Sequence, residues 1–330
     1  MSRSIQPPRR AVLRAAALAV ALGTLAPTWA LAADWPQRPI TLLVSFPPGG
    51  TVDAVGRILG PRLAQQLGQT VVIENRGGAG GMIGAAVVAK AAPDGYTLLL
   101  DASNHTQNPA LRSKMNFDTL GDFDSVSLLL RVPIVVTVTP DSSIRSVKDL
   151  LEQGRGAQTL HYASSGPGSS THLAAELFNV TAGTKLSHVA YKGGGPAMID
   201  VMSGQVPLMF ASLGSAIPHI RNGKLRAVAV GGATRTPVLP DLPTLRESGV
   251  DGYEAYEWNA VFAPKGTPPA VIEKVSAALK KVLADPEVVA NLNNIGAEVI
   301  GSTPAELEDF RRQDIEKWRK VAQQANISLD

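Results

Sequence analysis

Five short segments rich in glycine and hydroxyl side chains are the residues of this sequence best suited to chemistry. They span residues 46–51, 75–81, 102–108, 164–171 and 191–196. Glycine occurs in all of them except 102–108, and serine, threonine or asparagine occurs in all of them except 191–196. Glycine lets a main chain approach a ligand closely, and the polar side chains add neutral hydrogen-bond donors. Such donors suit an anion, above all a carboxylate. Each segment taken alone is also compatible with an ordinary turn between a strand and a helix.

The sequence lacks the patterns of catalytic and metal-binding sites. Its five histidines show neither H-x-x-x-H nor H-E-x-x-H spacing, and no G-x-S-x-G motif occurs. The absence of cysteine excludes thiolate zinc sites, iron–sulfur clusters and cysteine nucleophiles. His105 lies in the third segment and is retained as a candidate ligand contact. We therefore expect no catalytic residue, no metal and no cofactor.

Residues 78–84 allow an alternative, a dinucleotide-binding loop. They read Gly-Ala-Gly-Gly-Met-Ile-Gly between a predicted strand and a predicted helix, which resembles a dinucleotide fingerprint of the form G-x-G-x-x-x-G. Asp101 ends the next predicted strand, near the distance at which that fingerprint places its ribose-binding acid. The fingerprint normally occupies the first strand–helix turn of its fold, whereas this loop is the second. Carboxylate binding is therefore the favoured prediction.

A repeated order of strand, polar loop and helix positions these segments. The first unit runs from a predicted strand at 40–46 into a helix with apolar residues at helical spacing, and the order restarts near Leu160. Two runs predict an α/β fold of two mostly parallel sheets, each flanked by helices. The extended stretches 126–139 and 254–262 are the expected crossings between them. Ligands bind beyond the carboxyl ends of such strands, where the five segments lie.

The first 33 residues have the pattern of a secretory signal peptide. A basic stretch ends at Arg14, an apolar run covers 15–22, and Ala30-Leu31-Ala32 is an A-x-A cleavage site. Cleavage after Ala32 or after Ala33 fits the pattern equally well. The alternative is an uncleaved anchor, but the apolar run is shorter than the roughly 20 residues that a bilayer span needs. We expect export to the periplasm and no membrane insertion of the mature chain.

The charge balance argues against nucleic acid as a partner. The whole chain carries a formal net charge of +3, with 31 basic and 28 acidic side chains. Four of the arginines, and no acid, lie in the leader, so the remaining chain holds 27 basic and 28 acidic side chains. A nearly neutral body has no electrostatic footprint for nucleic acid or for an anionic membrane.

An ordered set of motifs resembles the Bug/TctC family, the extracytoplasmic solute receptors of tripartite tricarboxylate transporters. The resemblance covers essentially all of residues 34–330. Its motifs, in chain order, are Phe46-Pro47-Pro48-Gly49-Gly50-Thr51-Val52-Asp53, Val72-Ile73-Glu74-Asn75-Arg76-Gly77-Gly78-Ala79-Gly80-Gly81, Pro93-Asp94-Gly95-Tyr96-Thr97-Leu98, Ser164-Ser165-Gly166-Pro167-Gly168-Ser169-Ser170-Thr171-His172, Tyr191-Lys192-Gly193, Gly204-Gln205-Val206, and Trp258-Asn259 to Pro264-Lys265-Gly266-Thr267-Pro268.

The resemblance implies a two-lobed Venus-flytrap fold of the periplasmic-binding-protein kind. Residues 34–135 plus 258–330 would form the first lobe, and the inserted residues 136–257 the second. Family members hold a carboxylate largely through main-chain N–H groups and ordered waters. Carried over by position, the first-lobe wall comprises Phe46, Gly49, Gly50, Thr51, Asn75, Gly78, Ala79, Gly80 and Ser103. The second-lobe wall comprises Ser165, Ser169, Ser170, Thr171, Lys192, Gly193 and Pro196.

The expected function is therefore binding rather than catalysis. The resemblance implies a periplasmic receptor that captures a small organic acid by lobe closure and delivers it to membrane subunits of a transporter. The same flytrap acting as a ligand sensor for a two-component kinase is the alternative, because both roles need the same cleft. An exported enzyme is a third and weaker reading of the sequence.

Overall fold

The computed structural model describes residues 35–330, so the predicted signal peptide lies outside the described residues. The strands are β1 (Ile40–Val44), β2 (Val71–Asn75), β3 (Thr97–Ala102), β4 (Phe123–Val138), β5 (His161–Ser164), β6 (Ser187–Ala190), β7 (Leu208–Ser212), β8 (Arg226–Val230), β9 (Tyr256–Pro264) and β10 (Glu298–Val299). The helices are α1 (Thr51–Leu67), α2 (Met82–Ala89), α3 (Asn104–Leu111), α4 (Val147–Gly154), α5 (Ser170–Ala182), α6 (Gly194–Met202), α7 (Leu213–Arg221), α8 (Pro269–Leu283), α9 (Pro286–Asn294) and α10 (Pro304–Gln324).

The strands form two sheets that share the long strand β4. The first has the order β2-β1-β3-β9-β4-β10, and the second has the order β8-β4-β7-β5-β6. β1 is parallel to β2 and β3, and β5 is parallel to β6 and β7. β9 and β4 are antiparallel to their neighbours in the first sheet, as β4 is in the second. We call the parts built on these two sheets the first and second lobes.

Two chain crossings connect the lobes. Residues 123–133 of β4 pair with β9, whereas residues 134–138 pair with β7 and β8. Main-chain hydrogen bonds join the first crossing, at Ile134, to the return crossing, at Ala255. The Ile134 N–H donates to the Ala255 carbonyl, and the Gly231 N–H donates to the Ile134 carbonyl. Both connections lie within the stretches 126–139 and 254–262. The division into 34–135 plus 258–330 and 136–257 stays a prediction.

The first unit folds as its apolar spacing predicts. All five residues of β1 except Thr41 are buried, and the buried face of α1 joins Ile40, Leu42 and Val44 in one core. Because the apolar residues of α1 recur every three or four positions, they form one stripe that packs on the sheet. The helix begins at Thr51, and its N-cap is Gly50, which provides no side-chain cap. This packing fixes where the first turn of α1 lies.

The last helix packs against both lobes. The Asp314 carboxylate accepts a hydrogen bond of 2.6 Å from the Thr106 hydroxyl of the first lobe. Further along, Trp318 and Val321 belong to the same buried cluster as Phe178 and Phe210 of the second lobe. None of the helices described between residues 35 and 330 is both long and apolar enough to span a bilayer.

Candidate functional site: a cleft lined by helix N-termini

A cleft of about 500 Å³ separates the two lobes, and the first turns of four helices line it. α1 contributes its start from the first lobe, and α5, α6 and α7 contribute theirs from the second. Each of these helices follows a strand, so the cleft lies at the carboxyl ends of β1, β5, β6 and β7, where open α/β sheets bind ligands. The lining residues are Gly49, Gly50, Thr51, Ala54, Ser165, Thr171, Gly194, Gly195, Met198, Ser212, Gly214, Ser215, Glu257 and Ile295.

Three of the four helices leave their first N–H groups without a side-chain cap. Within the described chain, the N-cap residues Gly50, Gly193 and Ser212 make no side-chain capping hydrogen bond. The first N–H groups of a helix have no partner inside the helix. They also carry the positive end of the helix dipole. Uncapped first turns from both lobes therefore give the cleft main-chain donors suited to an anion.

Glycine keeps these main-chain groups accessible. Gly49 has a φ of +88°, which strains any residue with a side chain, and a Cβ built on it would meet no atom within 4 Å. A Cβ on Gly195 would likewise meet no atom within 4 Å. Open space therefore lies in front of the main chain on both walls.

A buried carboxylate holds the first-lobe loop in place. Asp53 accepts hydrogen bonds from the Gly49 N–H at 2.9 Å, from Arg57 Nε at 3.0 Å and from Asn75 Nδ2 at 2.9 Å. The Arg57 guanidinium, with help from these N–H donors, lowers the pKa of Asp53 to about 2. Asp53 and Asn75 therefore shape the loop that enters α1.

Phe46 and Asn75 support the wall rather than line it. The Asn75 amide donates to the Phe46 carbonyl at 3.1 Å and to Asp53, and neither Phe46 nor Asn75 is among the lining residues. Of the nine first-lobe residues predicted to contact ligand, Gly49, Gly50 and Thr51 line the cleft.

Serine and threonine side chains organise the loop before α5. The Ser165 N–H donates to the Thr171 hydroxyl at 2.9 Å, and Ser169 caps the helix by accepting from the His172 N–H. Ser165 and Thr171 line the cleft, whereas Ser169 serves as the cap. Ser170 turns to the first lobe, where its hydroxyl lies 3.3 Å from Gln107 Oε1.

Two histidines stack behind this loop. The rings of His172 and His188 lie 4.0 Å apart, and His172 Nδ1 accepts a hydrogen bond from the Gly168 N–H at 3.1 Å. Burial lowers the pKa of each ring to about 4. Both imidazoles are therefore neutral at neutral pH, and they support the loop through stacking and hydrogen bonding.

The segment at 78–80 lies away from the cleft lining. Gly78, Ala79 and Gly80 precede α2, and the Gly80 carbonyl accepts from the Asn108 side chain at 2.9 Å. The nearby Asn104 amide donates to the Gly168 carbonyl of the second lobe at 3.4 Å. With the Ser170–Gln107 contact, this region forms a polar bridge between the lobes.

Most of the segment 102–108, expected to be a polar loop, belongs to a helix. α3 spans Asn104–Leu111 although its residues have low helix propensity. Its buried polar side chains find distant partners, such as Thr106 with Asp314. Ser103 is fully buried, and its hydroxyl accepts from the Trp258 N–H at 2.8 Å. Ser103 therefore connects α3 to β9 and does not line the cleft.

His105 lies in the core of the first lobe instead of the cleft. Its ring stacks on Phe262 at 4.1 Å and meets the edge of Phe123, and its Nδ1 lies 3.1 Å from Asp101. Burial lowers the pKa of this ring, although Asp101 opposes the effect. His105 therefore packs in the core of the first lobe and does not line the cleft.

The arrangement around Asp101 does not fit a dinucleotide site. Asp101 is 2% exposed, and its oxygens accept from the Ser45 hydroxyl and the Ala102 N–H and face His105. A ribose-binding acid must present its oxygens to the ligand. These oxygens are instead engaged inside the core.

Three predicted residues lie around the start of α6. Gly193 is the N-cap, and its N–H donates to the Ser165 carbonyl at 3.1 Å. Lys192 and Pro196 are exposed, and neither lines the cleft. The adjacent residues Gly194 and Gly195 provide the wall in their place.

Seven residues of the lining lie outside the five predicted segments: Ala54, Met198, Ser212, Gly214, Ser215, Glu257 and Ile295. Ser212, Gly214 and Ser215 follow β7 in the same strand–polar–helix order as the five chosen segments, so that order was the available signal. Glu257 lies within β9, where nothing in its surroundings along the chain indicates a cleft. Across residues 35–330, no three histidine, aspartate or glutamate side chains are grouped so as to hold a metal ion.

Comparison with known proteins confirms the resemblance. Residues 55–327 match the family model described as tripartite tricarboxylate transporter family receptor, TctC. The chain is 35% identical to protein BugT of Bordetella pertussis over 298 residues, which are 89% of this chain and 91% of BugT. It is 39% identical over 316 residues to a protein of the tcbD-tcbE intergenic region of Pseudomonas sp. strain P51, covering 95% and 93% of the two chains.

Solved structures confirm the two-lobed α/β fold. The periplasmic binding protein BugD superposes with a TM-score of 0.79 at 35% identity, covering 89% of this chain and 99% of BugD. Rpa4515 of R. palustris, solved with adipate, gives 0.82 at 37% identity and covers 89% and 99%. MatC of Rhodopseudomonas palustris, solved with bound malate, gives 0.77 at 32% identity and covers 87% and 99%. The chain therefore belongs to the TctC family of tripartite tricarboxylate transporter receptors.

Proposed function

We propose that this protein is a periplasmic receptor that binds a small carboxylate-containing metabolite between its lobes and delivers it to the membrane subunits of a transporter. The observation that carries the proposal is the meeting of uncapped helix N-termini from both lobes at one cleft. The adipate and malate in the two related structures support a carboxylate as the ligand class. The signal-peptide pattern of residues 1–33 supports export.

Lobe closure follows from donors on opposite walls. A carboxylate that accepts from Gly50 or Thr51 on one wall and from Gly194 or Gly195 on the other is bound more tightly by the closed arrangement than by an open one. A ligand shifts a conformational equilibrium by this difference in affinity. Each hydrogen bond to a charged acceptor contributes about 1.5–3 kcal/mol, so a few neutral donors suffice. The crossings at Ile134 and Ala255 are the expected hinge.

The proposed role is binding without turnover. The cleft lining contains serine and threonine hydroxyls but no histidine or lysine to activate them as nucleophiles. The histidines of the nearby loop, His172 and His188, are engaged in stacking behind it. A bound acid should accordingly leave the protein unchanged.

A ligand screen tests the proposal. The purified mature protein, unfolded and refolded to release retained solute, is measured by thermal shift against monocarboxylates, dicarboxylates, tricarboxylates, amino acids and aromatic acids. Calorimetry then measures the affinity of each hit, and mass spectrometry checks that the acid is recovered intact. We expect at least one carboxylate to raise the melting temperature, and the rise should continue with the logarithm of the ligand concentration above Kd. Failure of every acid class to stabilise the protein would refute the proposal.

A further inference from the structure

Glu257 gives the cleft an acidic end. Among the residues that line the cleft it is the only one with a charged side chain, and the others are glycine, alanine, serine, threonine, methionine and isoleucine. It lies on β9, opposite Val132 of β4, beside the crossing between the lobes. A cleft suited to an anion at its helix N-termini therefore also contains a negative group.

No basic side chain of the described chain neutralises this carboxylate. The nearest arginine in the sheet, Arg131, is engaged elsewhere: it pairs with Glu298 at 2.7 Å and Glu254 at 3.6 Å and covers the Tyr256 ring. Burial raises the pKa of Glu257, and among residues 35–330 the Ser212 hydroxyl alone opposes that effect. Glu257 is only partly exposed, and a carboxylate that is partly removed from water without a cation is a strong acceptor for a cationic donor.

Ser212 supplies a second unused polar group at the same place. Ser212 is 7% exposed and lines the cleft. In the described chain, its hydroxyl has no hydrogen-bond partner of ordinary geometry. The neighbouring Ser215 hydroxyl is already engaged with the Ser212 carbonyl at 2.9 Å. Buried polar groups in folded proteins are nearly always paired. The Ser212 hydroxyl faces the Glu257 carboxylate and can donate to it, but a hydroxyl does not neutralise the charge, so the pair still lacks a cationic partner.

We propose that Glu257 and Ser212 form a subsite for a cationic donor, and that the ligand is an amino acid whose carboxylate binds the helix N-termini and whose ammonium group binds Glu257. This assignment rests on the proposed function and specifies its ligand class. A second ligand carboxylate would face Glu257 and be repelled, whereas an ammonium group would neutralise the Glu257 charge and donate hydrogen bonds to it. Glu257 is thus the residue that determines specificity at this end.

The test compares ligands that differ only at one end. γ-Aminobutyrate, glutarate and butyrate share a carboxylate and a similar chain. At the other end, γ-aminobutyrate has an ammonium group, glutarate a second carboxylate and butyrate a methyl group. The same comparison extends to shorter and longer chains and to the common α-amino acids. Calorimetry is performed on the wild-type protein, on Glu257→Gln, and on Glu254→Gln as a control. Glu254 lies three residues away on the exposed side of the crossing and pairs with Arg131, so its substitution removes the same charge outside the cleft.

The wild-type protein and the Glu254→Gln variant should prefer the amino acid over the matched dicarboxylate by about tenfold or more, as expected for loss of one charge-assisted contact. Glu257→Gln should abolish or reverse this preference while keeping the melting temperature of a folded protein. If a dicarboxylate binds the wild type more tightly than the matched amino acid and Glu257→Gln leaves the ratio unchanged, the subsite assignment is overturned while carboxylate binding stands. If no carboxylate of any kind binds, the proposed function itself fails.

Discussion

A leucine at Gly195 should block binding without unfolding the protein. Gly195 is the second residue of α6, it lines the cleft, and a Cβ on it meets no atom within 4 Å. Its backbone is not in the left-handed region, but a side chain there costs some strain, because a helical conformation is disfavoured directly before a proline, here Pro196. Glycine is about 1 kcal/mol less favourable than alanine inside a helix, and leucine is close to alanine. Because this gain opposes the cost of a side chain before Pro196, the melting temperature of Gly195→Leu should stay close to that of the wild type.

The affinity of Gly195→Leu for its carboxylate ligand should fall. A leucine side chain in the open space before α6 keeps a carboxylate from the N–H groups of its first turn. Loss of one hydrogen bond to a charged acceptor costs about 1.5–3 kcal/mol, which is a weakening of about 10- to 150-fold. Calorimetry with a carboxylate identified in the screen measures this change. Gly195→Ala should give a smaller loss, and Ser203→Leu, which places the same side chain on the exposed C-cap of α6, should give none. Wild-type affinity in a folded Gly195→Leu protein would show that the ligand does not occupy this cleft.

Two further predictions concern the supports of the cleft. Asp53→Asn should lower the free energy of unfolding at neutral pH by about 1–3 kcal/mol, because it removes the charge that Arg57 and the Gly49 N–H bind. The folded-state pKa of Asp53 is lowered to about 2 from an ordinary 3.8. The stabilisation by its carboxylate is therefore complete above about pH 4 and is lost as the pH falls toward 2. The unfolding free energies of the wild type and Asp53→Asn, measured by denaturation, should converge over that range, and a difference at pH 2 as large as that at neutral pH would contradict this prediction. For His172 and His188 the folded-state pKa is lowered to about 4 from 6.5, so the unfolded chain binds protons first and stability should fall as the pH decreases from about 6.5 to about 4. His188→Gln should reduce the slope of stability against pH in that window, and an unchanged slope would argue against burial of a neutral ring.

Much of the fold could be predicted because its signals are local. The apolar strand at β1, the glycine turn and the apolar stripe of α1 follow one another, and each is sufficient to specify its element. The order repeats in the second lobe, which made two α/β sheets predictable. The segments that carry Gly49 and Ser165 were identified for the same reason, since polar loops after parallel strands gather at one edge.

The remaining features depend on contacts between distant residues. α3 forms from residues with poor helix propensity because partners such as Asp314, far along the chain, satisfy its buried polar groups. His105 is in the core because Phe262 and Asp101 surround it, and neither contact is visible from its neighbours in sequence. Glu257 reaches the cleft because β9 runs along the crossing between the lobes, a placement set by sheet pairing. Local patterns cannot report such arrangements.

The central claim is that main-chain N–H groups at the helix starts of both lobes bind the carboxylate. Nuclear magnetic resonance of protein labelled with ¹⁵N-glycine tests it directly, by titration with a carboxylate that the screen identifies. The amide signals of Gly50, Gly194, Gly195 and Gly214 should shift together to saturation, with the proton resonances moving downfield as new hydrogen bonds form. Gly68 and Gly183, at the far ends of α1 and α5, should shift little. Saturable binding that leaves the amide signals of the four cleft glycines unshifted would contradict the claim.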